Sequence, residues 1–142
     1  MSDPLYKREV LRLAANATGS GRLPDPCGTA TAHNPTCGDK VVMDVALEDG
    51  RILALAHHTL ACVLTQASAS VLGAYAPGMS RDEVAALRDA VGAMLEGGPA
   101  PHAPFDSYAV FDGVADHPAR HKCVLLPIDA ALAALDSQKD NP

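Results

Sequence analysis

Val41-Val42-Met43-Asp44-Val45-Ala46-Leu47-Glu48-Asp49-Gly50-Arg51-Ile52 is the most informative run in this chain of 142 residues. Val41, Met43, Val45 and Leu47 alternate with Val42, Asp44 and Ala46, which is the period of a strand with one strongly apolar face. Glu48-Asp49-Gly50-Arg51 supplies a hairpin turn, since Asp-Gly tolerates the positive φ values of a tight connection. The return strand runs over about residues 52–57. Upstream, residues 28–32 form a third strand, weakly marked by its Thr/Ala sequence. Asn34-Pro35-Thr36-Cys37-Gly38-Asp39 then becomes the turn between two strands, with a thiol and a carboxylate two residues apart.

Downstream the period changes. Leu60, Val63, Leu64, Ala67, Val71 and Tyr75 share one side of a helix over residues 60–75. Cys62 falls in its first turn, where unpaired N–H groups and the helix dipole favour a thiolate. Ala76-Pro77-Gly78 stops that helix. Ser80-Arg81-Asp82-Glu83 is a capping box, with Val84, Leu87, Val91 and Met94 following until Gly97-Gly98. A proline-rich connector over residues 99–104 leads to Phe105, Tyr108 and Phe111, one or two helical turns that dock on the core. Asp116-His117-Pro118 reads as the cap and first turn of the last helix, which carries Arg120 and Cys123 and runs to Leu135. Pro127 should kink or restart it, at about 3 kcal/mol if uncompensated. At the other end of the chain, Asp3-Pro4 opens a helix through Tyr6, Val10, Leu13 and Ala14 that ends near Asn16. Residues 17–29 are loop, and Cys27 within them has no assigned role. The tail, residues 137–142, is polar and frayed.

The length fits one domain, residues 1–142, with an ordered core of about 3–136. Hydrophobic residues make up 48% and aromatics only 4%, with no tryptophan, so the core rests on Ala, Val and Leu. A net charge of −6 argues against nucleic acid as a partner, because phosphate binding needs clustered Lys and Arg. No signal peptide and no membrane span is visible. The expected compartment is the cytoplasm, where thiols stay reduced, and four cysteines there point to metal or sulfur chemistry before disulfides.

Cys37, Asp39, Cys62 and Cys123 make a Cys3Asp set of the kind that holds zinc or an iron–sulfur cluster. Spacing alone leaves open a bland alternative of three unrelated, partly buried cysteines, since there is no C-x-x-C pair. The residues themselves go further. Asn34-Pro35-Thr36-Cys37-Gly38-Asp39, Cys62 with Gln66-Ala67-Ser68-Ala69-Ser70, and Arg120-His121-Lys122-Cys123 resemble the U-type iron–sulfur cluster assembly proteins. That family comprises IscU, SufU and the N-terminal domain of NifU. The similarity is greatest to the SufU branch, through the long connector at residues 97–117, Pro118-Ala119-Arg120, and Lys122 immediately before Cys123.

The resemblance implies an α+β fold, a three-stranded antiparallel sheet with helices packed on one face. It implies Cys37, Asp39, Cys62 and Cys123 as ligands of zinc or of a transient iron–sulfur cluster. The implied partners are a cysteine desulfurase and the apo iron–sulfur proteins or assembly factors downstream. In SufU-like members zinc is held and the thiol matching Cys37 accepts persulfide sulfur. In IscU-like members a cluster is assembled and Cys123 matches the acceptor. Either way the protein is a sulfur acceptor or scaffold, not a conventional small-molecule enzyme. Arg120 matches a basic family position that lends charge support to Asp39 or to an incoming persulfide.

Two departures stand out. Leu60-Ala61 replaces the glycines usual before the second cysteine, and Pro127 follows the third. His57 and His58 offer an alternative ligand near Cys62. Two rival readings use the same residues. Cys37 would be a hydrolase or transferase nucleophile with His33 as base and Asp39 orienting it, or the domain would bind zinc only for structure and partner binding.

Overall fold

The computed structural model describes residues 7–35 and 38–137. The elements in chain order are α1 (Arg8–Asn16), β1 (Gly28–Asn34), β2 (Asp39–Glu48), β3 (Arg51–Leu60), α2 (Val63–Tyr75), α3 (Arg81–Leu95), a 3₁₀ segment (Phe105–Asp116), a 3₁₀ turn (Pro118–Arg120) and α4 (His121–Asp136). The three strands form one antiparallel sheet in the order β1-β2-β3. Helices α4 and α2 lie against it, α1 packs on α2, and α3 packs on α4. This is the α+β arrangement expected.

The alternation in β2 sets the two faces. Val41, Met43 and Val45 are fully buried beneath the helices, with Leu64, Ala67, Val71, Val124, Ile128 and Ala131 in the same core. Asp49 and Gly50 take φ of +55° and +77° in the β2–β3 hairpin, the left-handed pair a two-residue connection demands. The capping box of α3 is complete, with Ser80 accepting from the Glu83 N–H and Glu83 accepting from the Ser80 N–H. Phe105, Tyr108, Phe111 and Val114 recur every three residues and all are buried, which is the 3₁₀ repeat.

Three expectations about helices need correction. α2 starts at Val63, because β3 continues through Leu60, which pairs with Lys40 and points to solvent. Cys62 is therefore the N-cap residue and does not belong to the first turn. The last helix starts at His121, after the separate Pro118–Arg120 turn, so Arg120 precedes it. Pro127 does not make α4 restart. The helix runs unbroken from His121 to Asp136 with the pyrrolidine ring buried, and the Ser68 hydroxyl donates to the Val124 carbonyl at 2.6 Å beside it. The proposed cap at Asp3-Pro4 lies outside the described residues, as do residues 138–142 of the tail.

The other face of the sheet is partly covered by the loop between α1 and β1. Ala17 ends α1 in the left-handed conformation, and the chain then runs along the outer edge of β3. There the Gly21 N–H donates to the His57 carbonyl at 2.8 Å and the His57 N–H to the Gly19 carbonyl at 2.9 Å. The loop next crosses over Asp44, whose buried carboxylate accepts from Arg22 Nε at 2.6 Å, the Leu23 N–H at 3.0 Å and the Thr29 hydroxyl at 2.7 Å. Burial raises the pKa of Asp44, but Arg22, Thr29 and Leu23 together outweigh it and leave the carboxyl below its ordinary value. Gly73 on α2 makes the loop's path possible. A Cβ there would sit 2.0 Å from the Thr18 carbonyl oxygen.

Gly73→Ala should therefore destabilise the protein by about 1–3 kcal/mol through overpacking, seen as a lowered urea midpoint. A second expectation concerns pH. Burial lowers the pKa of His57, so the unfolded chain takes up a proton before the folded one does. Its stabilisation is complete above the unfolded value of about 6.5 and is lost as pH falls through the lower folded value. Asp44 behaves alike in a more acid window, complete above about 3.9 and lost below. Urea titrations of the metal-free protein from pH 8 to 3 should show both losses, and His57→Gln should remove only the upper one.

Candidate metal centre

Asp39 opens β2 and pairs across the sheet with Asn34, the last residue of β1. The Gly38 N–H donates to the Asn34 carbonyl at 2.8 Å, and Gly38 has φ +72°, so the turn closes on a glycine. Strand parity sends the side chains of Asn34 and Asp39 toward the helices, and both are buried. Cys62 comes from the β3–α2 junction and Cys123 from the first turn of α4. One ligand atom each from Asp39, Cys62 and Cys123 lie within 4.8 Å of one another. Cys37 lies outside the described residues.

The Asp39 carboxylate is the hub. Its Oδ1 accepts the Cys62 backbone N–H at 3.1 Å, and its Oδ2 faces the Thr65 hydroxyl at 3.4 Å and the Cys123 thiol at 3.6 Å. The Thr65 hydroxyl also lies 3.5 Å from Cys62 Sγ. The hydrogen bond from Cys123 is the largest influence on the Cys62 thiol and brings it down to about 6, with Thr65 adding to the effect and burial and Asp39 opposing it. Asn34 Nδ2 lies 3.9 Å from Cys123 Sγ, while its buried Oδ1 has no hydrogen-bond partner among the described residues. Two sulfurs and a carboxylate oxygen suit zinc or ferrous and ferric iron. A tetrahedral ion with bonds of about 2.0–2.3 Å needs its ligand atoms roughly 3.5–3.8 Å apart, so a small contraction closes the set.

The remaining predicted residues fall as follows. Arg120 is half-buried at the N-cap of α4, three residues before Cys123. His57 is not a ligand. Its Nε2 donates to the Thr18 carbonyl of the α1–β1 loop at 2.9 Å and its Nδ1 accepts from the Thr59 hydroxyl on β3 at 2.9 Å, so both nitrogens are engaged and the ring ties the loop to the strand. His58 points to the opposite, solvent side of the sheet. His33 does too. It pairs with Lys40, one step out of phase with Asp39, which separates the proposed base from the residue meant to orient it. Cys27 is structural, its Sγ accepting the Leu47 N–H at 3.4 Å.

Two contributors escaped sequence reasoning. Thr65 stands three residues after the N-cap, a spacing that places its hydroxyl over the start of the helix. Asn34 lies inside the quoted motif, yet nothing in sequence says that a strand-terminal Asn turns inward. Thr65→Val, which keeps shape and removes the hydroxyl, should weaken zinc binding about 10-fold or more in a chelator competition, with the far-ultraviolet circular dichroism unchanged.

The profile of the NifU-like N terminal domain matches residues 5–124. The iron–sulfur cluster assembly scaffold protein IscU of Thermotoga maritima is 25% identical over 122 residues, 86% of each chain. IscU of Streptococcus pyogenes serotype M1 is 31% identical over 104 residues, 72% of this chain and 65% of its own length. Among solved structures, the N-terminal NifU-like protein of Brucella abortus superposes with a TM-score of 0.90 at 38% identity, covering 94% of both chains. The putative iron–sulfur cluster assembly scaffold protein for the SUF system of Fervidobacterium islandicum gives 0.86 at 21% identity, covering 95% of this chain and 99% of its own, a likeness of fold.

Proposed function

The chain belongs to the NifU-like N-terminal domain family, and from that premise we propose that it is an iron–sulfur cluster assembly protein whose Cys37, Asp39, Cys62 and Cys123 form one metal site. The observation that carries the reading is the convergence of Asp39, Cys62 and Cys123, drawn from three separate elements onto one point. The protein works in the cytoplasm with a cysteine desulfurase, as a SufU-like acceptor of persulfide sulfur.

The chemistry follows from the donor set. A bound zinc ion keeps thiols deprotonated and positioned while leaving them exchangeable. The Cys37 thiolate attacks the outer sulfur of the desulfurase persulfide, a new S–S bond forms on Cys37, and the desulfurase cysteine leaves as its thiolate. Asp39 would be the hard ligand among soft sulfurs and the one suited to exchange. Arg120, at the start of α4, offers positive charge to the incoming persulfide. The kinship with curated IscU scaffold proteins supports a second reading, in which an iron–sulfur cluster is built on the same four ligands as cargo, with Cys123 as acceptor.

Purification without air separates the readings. One tightly held zinc per chain, with a desulfurase-dependent mass gain of one sulfur on Cys37, supports the acceptor. Visible iron–sulfur absorption that passes to an apo protein supports the scaffold. Zinc whose removal unfolds the chain, with no sulfur acquired, leaves a structural zinc domain. Asp39→Ala should slow release of the bound metal or cluster to a chelator or apo acceptor, and release as fast as from the unaltered protein removes the role given to Asp39.

A further inference from the structure

The end of the molecule that carries the metal centre has an unusual charge. In a chain of net charge −6, residues 50–81 and 117–128 contain no Asp or Glu, and residues 26–43 contain only Asp39, which is buried. Those three windows supply every strand end and helix start around the site. Around the site they carry Lys40 and Lys122, with His33 and His58. Away from the site, surface cations pair with carboxylates, as in Arg51–Glu83, Arg81–Asp136 and Arg88–Asp129.

The same end exposes apolar surface. His33, Lys40 and Leu60 are direct cross-strand partners and so lie in one row on the side of the sheet away from the helices. Thr31, Val42 and His58 form the next row. The α1–β1 loop covers this side at Asp44, one row further on, and leaves these two rows open. Leu60 is 56% exposed although it stands two residues from Cys62. An exposed leucine two residues from Cys62, with Lys40 as its cross-strand neighbour, is the composition of a docking surface with an apolar anchor and a charged rim.

We propose that Lys40, Leu60 and Lys122, with His33 and His58, dock a partner protein through an acidic segment that carries an apolar side chain onto Leu60. The partner is the one whose thiol has to reach the metal centre, the cysteine desulfurase, so the inference rests on the sulfur-acceptor reading above. Charge complementarity selects the segment's sign. Its carboxylates meet Lys40 on the sheet side and Lys122 on the α4 side, which aims the partner's thiol between them. None of these five residues is among the proposed ligands, so docking and metal binding are separable.

The test uses the full chain loaded with zinc and the purified cysteine desulfurase of the same organism, following cysteine-dependent sulfide release as the concentration of this protein is varied. Lys40→Glu with Lys122→Glu should raise the KM for this protein about 10-fold or more while kcat changes less than about 2-fold, and Leu60→Asp should act in the same direction. The KM of the unaltered protein should rise with salt, and that slope should flatten in the double variant. Zinc content should stay the same in all. Unchanged KM and salt slope in every variant, with the unaltered protein still stimulating the desulfurase, overturns the docking surface and leaves the acceptor reading intact. No stimulation by the unaltered protein overturns that reading and the partner named here. Self-association lost on Leu60→Asp would assign the surface to a second copy of the chain and overturn the proposal.

Discussion

A carboxylate taken out of water must be met by donors, and Asp39 meets that demand with groups from three different elements. The Cys62 N–H comes from the β3–α2 junction, the Thr65 hydroxyl from α2 and the Cys123 thiol from α4. An unsatisfied buried charge would cost several kcal/mol. The same contacts that avoid this cost also gather the ligands. Folding the sheet end and assembling the site are one event, which explains why the site needs no local sequence motif such as C-x-x-C.

Sulfur also enters the surroundings of that carboxylate. Asn34 is buried against Cys123, its Nδ2 facing the sulfur and its Oδ1 without a hydrogen-bond partner among the described residues. Thiol hydrogen bonds are long and weak, so the contacts of Cys123 with Asp39 and Asn34 hold it loosely. That latitude suits the exchange of ligands proposed for the site.

Sequence reading reached the hairpin, the capping box and the burial of Phe105, Tyr108 and Phe111, because each rests on local chemistry, although those aromatics lie on a 3₁₀ run of twelve residues and not on one or two helical turns. Asp49-Gly50 and Ser80-Glu83 declare their conformations within four residues. What it missed depends on neighbours far away in the chain. Leu60 has the periodicity of α2, but Lys40 claims it for the sheet, and this moves Cys62 to the cap. Pro127 should break a helix in isolation, whereas the close packing of α4 on α2 and the sheet holds that helix together. His57 has the chemistry of a ligand, yet Thr18 and Thr59 occupy both of its nitrogens. Gly73 gives no sign in the sequence that a carbonyl passes 2.0 Å from where its side chain would begin.

The loop along β3 has one more effect. An outer strand is normally a template on which a foreign strand can be added. Here the backbone groups of His57 are bonded to Gly19 and Gly21, and those of Ile52 to Gly78 and Met79. The protein has thus already used part of that template for its own chain, near the start of the strand and at His57. A foreign strand cannot pair along that edge there without first displacing the protein's own backbone.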